Sequence, residues 1–326
     1  MTDFRPTIIR ELGILKSVSA TETGGVFKVR SYATAIKTLQ AMAPIYSITD
    51  VPESKKGDGL GVEIRKKIET IIEMGELDIC PAVRERATAM EAFTNIYGIG
   101  PKKAEDLIAE GYNTIKQLRT AVVVNPSLLN KNQKIGLRYY EQLLDRIPRE
   151  EMDRHADLLM AKKPKALEGV IVGSYRRGQS SSGDIDMLIR TASAEVDAAT
   201  SLREFVESLK AAGYIKEVLA LGDHKCMAIS ELSPGKGRRL DLLVTPPEEF
   251  PFAVFYFTGS QGFNVAVRSH ALLKGYTLNE HGIKRVTTGT PVSGIKTEKD
   301  IFALLKILYR EPTDRDGPDK MTPLTA

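Results

Sequence analysis

Apolar residues recur at helical spacing through the first 147 residues and at strand spacing in short runs after Gly169. "YATAIKTLQAM" (residues 32–42) sets its apolar positions three and four apart, and "IRKKIETIIEMG" (64–75) repeats the pattern before a glycine stop. Beyond Gly169, "GVIVGS", "DIDMLI", "RRLDLLVTP" and "FAVFYFTG" read as strands or strand ends, with "SLREFVESLKAAG" as a helix between them. The pattern predicts a helical region, then an α/β region, with a boundary near Ile147 and Pro148.

Composition adds little to that division. A length of 326 residues with 42% hydrophobic content fits two or three folded domains. Lys and Arg number 46 against 42 Asp and Glu, a formal charge of +4, so any polyanion partner must be sought in local clusters. Cys80 and Cys226 lie far apart and form neither a disulfide framework nor a zinc ligand set, as expected in a reducing compartment. Neither an 18-residue apolar run nor the apolar core of a signal peptide is present, so membrane insertion and secretion are not expected.

Two segments of the helical half resemble each other. "GDGLGVEIRKKI" (57–68) and "IYGIGPKKAEDL" (96–107) both carry Gly-apolar-Gly before a helix with basic residues. The glycines Gly59, Gly61, Gly98 and Gly100 allow tight turns, and amides at the helix start, with Lys102 beside them, can hold a nucleic-acid phosphate without reading sequence.

The chemistry is concentrated in "VGSYRRGQSSSGDIDMLI" (172–189). On a strand, residues i and i+2 share a face, which makes Asp184 and Asp186 neighbours. Two carboxylates that close repel unless a cation lies between them, and oxygen donors without His or Cys select Mg²⁺ or Mn²⁺. Asp241, in "RRLDLLV", offers a third carboxylate inside an apolar strand pattern. Three such groups on adjacent strands can hold two divalent ions about 3.5–4 Å apart, as in-line phosphoryl chemistry uses. The competing reading is a solvated face of an edge strand. Against it stands the preceding "GSYRRGQSSSG": Gly173 and Ser174 end a strand at a turn whose amides and hydroxyl can hold phosphate, with Arg176 or Arg177 to neutralise it.

These residues carry a family resemblance. "GSYRRGQSSSGDID", "RRLDLLVTP", "YFTGSQGFN" and "YREP", with "FKVRSYATAIKTL", "FTNIYGIGPKKAEDL" and "IGLRYYEQLLDRIPREEM" before them, resemble the family X DNA polymerases of the β and λ branch over nearly the whole chain. The resemblance implies an α+β multidomain fold: a helical lyase and helix-hairpin-helix region, a nucleotidyltransferase palm with a mixed sheet, and a small α/β thumb-like subdomain. The corresponding division is 1–85, 86–147, 148–247 and 248–326.

By the same resemblance, Asp184, Asp186 and Asp241 would hold two Mg²⁺ ions, with Asp241 as proton acceptor from the primer 3′-hydroxyl. Arg146, Ser174, Arg177, Ser182 and Gly183 match triphosphate contacts. Tyr256, Phe257 and Gly259 match the segment beside the sugar, Asn264 the base contact, and Arg239 and Arg268 the DNA contacts. The hairpins would take Na⁺ or K⁺ through backbone carbonyls of Thr94, Ile96 and Ile99. Lys67, which flanks the stripe of Ile64, Ile68, Ile71 and Ile72 while Lys66 points away, matches the Schiff-base nucleophile of a 5′-deoxyribose phosphate lyase.

The implied activity is template-directed gap filling on gapped or nicked DNA with dNTP, by a monomer, in base excision repair. The implied compartment is the nucleus or mitochondrion of a eukaryote, or otherwise the cytoplasm or a virion. The alternatives are a template-independent nucleotidyltransferase, against which Tyr256-Phe257 and the lack of a long palm insertion count, and a non-catalytic DNA-end binding module, against which the three aspartates count.

Departures from the polymerase β pattern fall at Leu243, Gln261, Val265 and Glu63, and an amino-terminal BRCT domain, usual in λ-like members, is not expected within these 326 residues. The last stretch, "PTDRDGPDKMTPLTA", reads as a frayed polar tail without function.

Overall fold

A computed structural model describes residues 2–20, 23–53, 58–165, 167–191 and 197–324. The chain divides into two compact units, Met1–Tyr140 and Glu141–Ala326.

The first unit is helical. Its helices are α1 (Arg5–Ala20), α2 (Val26–Gln40), α3 (Val62–Met74), α4 (Pro81–Thr94), α5 (Pro101–Ala109), α6 (Ile115–Val124) and α7 (Lys131–Arg138). Ile8 and Leu12 of α1, Ala35 and Leu39 of α2, and Ile64, Ile68 and Ile71 of α3 bury one core. Phe93, Ile96, Ile99, Leu107, Leu118 and Leu137 form a second. A buried carboxylate, Glu11, ties α1 to α4 by accepting two hydrogen bonds from Arg84 at 2.7 and 2.8 Å. Each glycine hairpin needs its first described glycine: Gly59 and Gly98 have φ of +73° and +83°, and a β-carbon on Gly59 would lie 2.6 Å from the Ala35 amide nitrogen. Gly61 and Gly100 then cap α3 and α5. Gly57, the first glycine of the earlier repeat, lies outside the described residues.

Helix α8 (Tyr140–Leu144) leads to the second unit. There, β1 (Ile147–Pro148) pairs with β3 (Ser181–Ser182), while β2 (Leu167–Ile171), β4 (Ile185–Thr191), β5 (Ile215–Leu221), β6 (Lys225–Ser230) and β7 (Arg238–Thr245) form a sheet of order β2-β4-β7-β6-β5. Only β4 and β7 run parallel among the paired strands of this sheet. Helices α9 (Arg149–Lys162) and α11 (Ala198–Ala211) supply Met152, Leu159, Leu202, Phe205 and Leu209 to the core under Ile185, Met187, Ile189, Leu240 and Leu242. Between β2 and β3 lies the single helical turn α10 (Gly173–Arg176).

The sheet's other face meets α12 (Phe250–Thr258), whose Ala253 and Val254 pack with Val172 and Leu188. A further core joins α12 to α13 (Gln261–Leu273), the hairpin β8 (Tyr276–Asn279) and β9 (Gly282–Arg285), and α14 (Glu298–Leu305).

Two expectations are corrected. "FAVFYFTG" is not a strand: Pro251 sits in its first turn and the run forms α12, because an unbroken apolar run carries no period to separate a helix from a strand. As far as Leu324, the last residue described, the C-terminal stretch is not frayed. Arg315 is fully buried, Met321 packs against the α12–α14 core, and the Leu308 amide donates to the Thr322 carbonyl. No helix among the described residues is long and apolar enough to cross a membrane.

Candidate active site

Register alone assembles the acidic cluster. Asp186 of β4 stands directly opposite Asp241 of the parallel β7, and Asp184 immediately precedes β4. Alternation buries Ile185, Met187 and Ile189 on the α9 and α11 side, so Asp184 and Asp186 face the other way. Because β4 lies between β2 and β7, these carboxylates are not on a sheet edge.

Crowding is severe at the middle carboxylate. Burial, then the charges of Asp184 and Asp241, pushes the Asp186 pKa up to about 7, against the pull of Arg239 and Lys225. Asp241 Oδ2 accepts an ion pair from Lys225 Nζ at 2.8 Å, and Asp184 Oδ2 lies 3.3 Å from Arg239. Among the described residues no group of three acidic, His or Cys side chains is preset as a metal cage. The donor set nevertheless suits a hard cation: three carboxylates, no nitrogen or sulfur, and a central acid destabilised by its neighbours.

The turn beside the acids is built around Gly173. Its φ is +65°, and a β-carbon there would lie 2.8 Å from Asp186 Oδ2. Ser174 Oγ and Ser182 Oγ are 3.0 Å apart, and Arg146 reaches the same strand, donating to Ser181 Oγ and the Ser181 carbonyl, both at 2.7 Å. Gly183, next along, is exposed, and a β-carbon there would meet nothing within 4 Å.

The two arginines of the turn separate. Arg176 is held by Glu298 at 2.6 Å and by Thr258 Oγ1 at 2.6 Å, so its charge is spent on α12 and α14. Arg177 donates to the Thr258 carbonyl at 2.7 Å and lies 3.5 Å from Asp316. Gly259, with φ of +69°, lies against Arg177: a β-carbon there would be 3.2 Å from Nη1.

Tyr256 and Phe257 end α12 half-buried, their rings edge to face at 5.2 Å. Asn264 Nδ2 donates to the Tyr256 carbonyl at 2.7 Å, which joins α13 to that segment. Arg268 is exposed on α13.

In the first unit, Lys67 is half-buried at the rim of the Ile64, Ile68 and Ile71 stripe, and Lys66 points to solvent, 3.6 Å from Glu63. Lys102 is exposed in the first turn of α5. In the turn between α4 and α5, the Ile96 carbonyl accepts from the Ile99 amide at 3.0 Å, with Thr94 two residues before it.

Sequence reasoning missed Lys225, Glu298 and Arg315. Glu298 is shared between Arg176 and Arg315, the latter at 2.5 Å. Phe255, Phe263, Phe302 and Tyr309 surround the Arg315 guanidinium at 5.1–6.0 Å. Only the invariably charged Arg in an otherwise polar tail could have hinted at it.

Acids on neighbouring palm strands, with a glycine–serine turn against them, place this unit in the nucleotidyltransferase class. Comparison with known proteins narrows that class. Residues 146–247 match the DNA polymerase beta palm, 253–316 the DNA polymerase beta thumb and 91–144 the fingers domain of DNA polymerase lambda. DNA polymerase lambda of Rattus norvegicus is 30% identical over 335 residues, covering 97% of this chain and 57% of its own length. DNA polymerase lambda of Arabidopsis thaliana is 28% identical over 311 residues, covering 88% and 57%. The chain therefore spans little more than half the length of these relatives. It belongs to the family X DNA polymerases, in the β and λ branch.

Proposed function

We propose that this protein is a template-directed DNA polymerase that fills short gaps, with an attached 5′-deoxyribose phosphate lyase. The observation that carries the polymerase reading is the Asp186–Asp241 register beside the Gly173 turn. Its parts are proposed to follow the division 1–85, 86–147, 148–247 and 248–326, with gapped or nicked DNA and dNTP as substrates of a monomer.

Asp184, Asp186 and Asp241 would hold Mg²⁺, or Mn²⁺ in its place. Bound there, divalent cations supply neutralisation of the triphosphate and activation of the primer 3′-hydroxyl. Asp241 accepts the hydroxyl proton. Ser174, Ser182, Gly183 and Arg146 line one phosphate-holding strip, and Arg177 closes its other side from the Thr258–Gly259 corner. With the α-phosphorus fixed in line with the hydroxyl, positioning and electrostatics carry the rate.

Tyr256 and Phe257 crowd a 2′-hydroxyl and favour deoxynucleotides, Asn264 meets the base edge, and Arg239 and Arg268 meet DNA. The hairpins at Gly59, Gly61, Gly98 and Gly100, with Lys102, grip phosphate, with Na⁺ or K⁺ at the Thr94, Ile96 and Ile99 carbonyls. Lys67 attacks the abasic sugar as a Schiff-base nucleophile.

The test is primer extension on a one-nucleotide gap bearing a 5′-phosphate, with each dNTP separately and Asp241→Ala beside the wild type. Addition of the templated nucleotide alone, absent in the variant, supports the reading. Untemplated addition moves the protein to a terminal transferase, and tight DNA binding without extension makes it a binding module.

A further inference from the structure

The acidic cluster carries two cations of its own, and they are not equivalent. Strand β6 runs antiparallel to β7, pairing Met227 with Asp241 and Lys225 with Leu243. Alternate residues share a face, so Lys225 rises diagonally from Asp241, a separation of about 7–8 Å that a lysine easily bridges. Its Nζ reaches Asp241 Oδ2 at 2.8 Å, whereas Arg239 stays 3.3 Å from Asp184. The Asp241 side chain is 9% exposed and that of Lys225 43%, so the ammonium enters from the rim onto an enclosed carboxylate.

An ammonium on one oxygen of a carboxylate takes up one of its lone pairs and sets a positive charge beside any divalent ion that ligates the same group. The two compete for Asp241, and an ammonium that stays nearby still repels the ion. We propose that Lys225 is a positioning residue that holds Asp241 and restrains divalent-metal loading of the acidic cluster in the protein without DNA. The proposal rests on the metal-binding reading of the three aspartates. It gives the palm a way to keep its acids ordered and weakly loaded, since an ion that uses Asp241 must share that carboxylate with a tethered cation.

Mn²⁺ binding to the full chain, followed by electron paramagnetic resonance without DNA or nucleotide, tests this. Lys225→Met should tighten Mn²⁺ binding about tenfold, the size expected for removing one charge close to a divalent ion near a protein surface. Lys225→Gln should act in the same direction, and Lys225→Arg should restore wild-type affinity. Against an Asp241→Asn background, where only the through-space repulsion is left, Lys225→Met should tighten Mn²⁺ binding by clearly less than it does in the wild type. If Asp241→Asn weakens Mn²⁺ binding but neither neutral Lys225 variant tightens it, the role of Lys225 is overturned and the metal reading stands. If Asp241→Asn binds Mn²⁺ as tightly as wild type, the metal reading itself fails, and this proposal with it.

Discussion

Gly173 and Asp186 are packed so closely that one methyl group between them would displace the carboxylate. A β-carbon on Gly173 would lie 2.8 Å from Asp186 Oδ2, at a backbone φ of +65° that L side chains rarely adopt. Gly173→Ala therefore has two costs: backbone strain of about 1–3 kcal/mol, and a displaced acid. Primer extension by Gly173→Ala should fall at least 100-fold in kcat while gapped-DNA affinity, measured by anisotropy, stays within about threefold.

Lys67 is half-buried at the edge of the isoleucine stripe, whereas Lys66 is exposed. Borohydride should trap the wild type on an incised abasic site, and Lys67→Ala should lose most of that trapping while Lys66→Ala keeps it. Undiminished trapping by Lys67→Ala removes the lyase assignment. Gap filling, whose proposed acidic residues lie in the other compact unit, should persist in Lys67→Ala.

Glu298 sits between two arginines. Burial works to raise its pKa, but hydrogen bonds and charge from Arg176 and Arg315 prevail and hold it below the usual carboxylate range. Removing the acid strands Arg315, which is fully buried. Glu298→Ala should lower stability by about 3–5 kcal/mol in urea unfolding, and Arg176→Ala by less, because Arg315 keeps its partner there.

His155 gives a pH signature. It is completely buried, with Nδ1 2.7 Å from the Tyr214 hydroxyl and Nε2 3.6 Å from Glu151, which in turn pairs with Arg238 at 2.6 Å. Burial drives its pKa from 6.5 to about 4, against the pull of Glu151. The unfolded chain thus binds a proton that the folded one refuses. The stability is whole above pH 6.5 and falls as pH drops toward 4, by roughly 3 kcal/mol for this group. Urea unfolding at pH 7 and pH 4.5 should show His155→Gln losing less on acidification than the wild type.

The acids were legible because their signal is local: Asp184 and Asp186 share a strand face by parity, and Gly173–Ser174 lie only ten to thirteen residues before them. Lys67 was legible because helical phase places it beside three buried isoleucines. Lys225 was not, because its role depends on which residue of β7 stands across from it, and single-sequence patterns do not fix register. Helix α12 was misread for want of a polar residue to mark its period. Arg315 was lost in the polar composition around it, since its aromatic surroundings come from α12, α13, α14 and Tyr309.

The Arg176–Glu298–Arg315 link also bears on how the chain is made. Arg176 leaves the ribosome long before Glu298, 122 residues downstream, and before Arg315, which shares that acid from 139 residues downstream, so the turn next to the acids gains its full clamp only late in synthesis. A message cut short between codons 241 and 315 would yield every aspartate of the site on a palm whose arginine still lacks its full clamp. Such nascent or truncated chains should be met by chaperones and proteases, because the turn gains its full clamp only once the segment carrying Arg315 has been made.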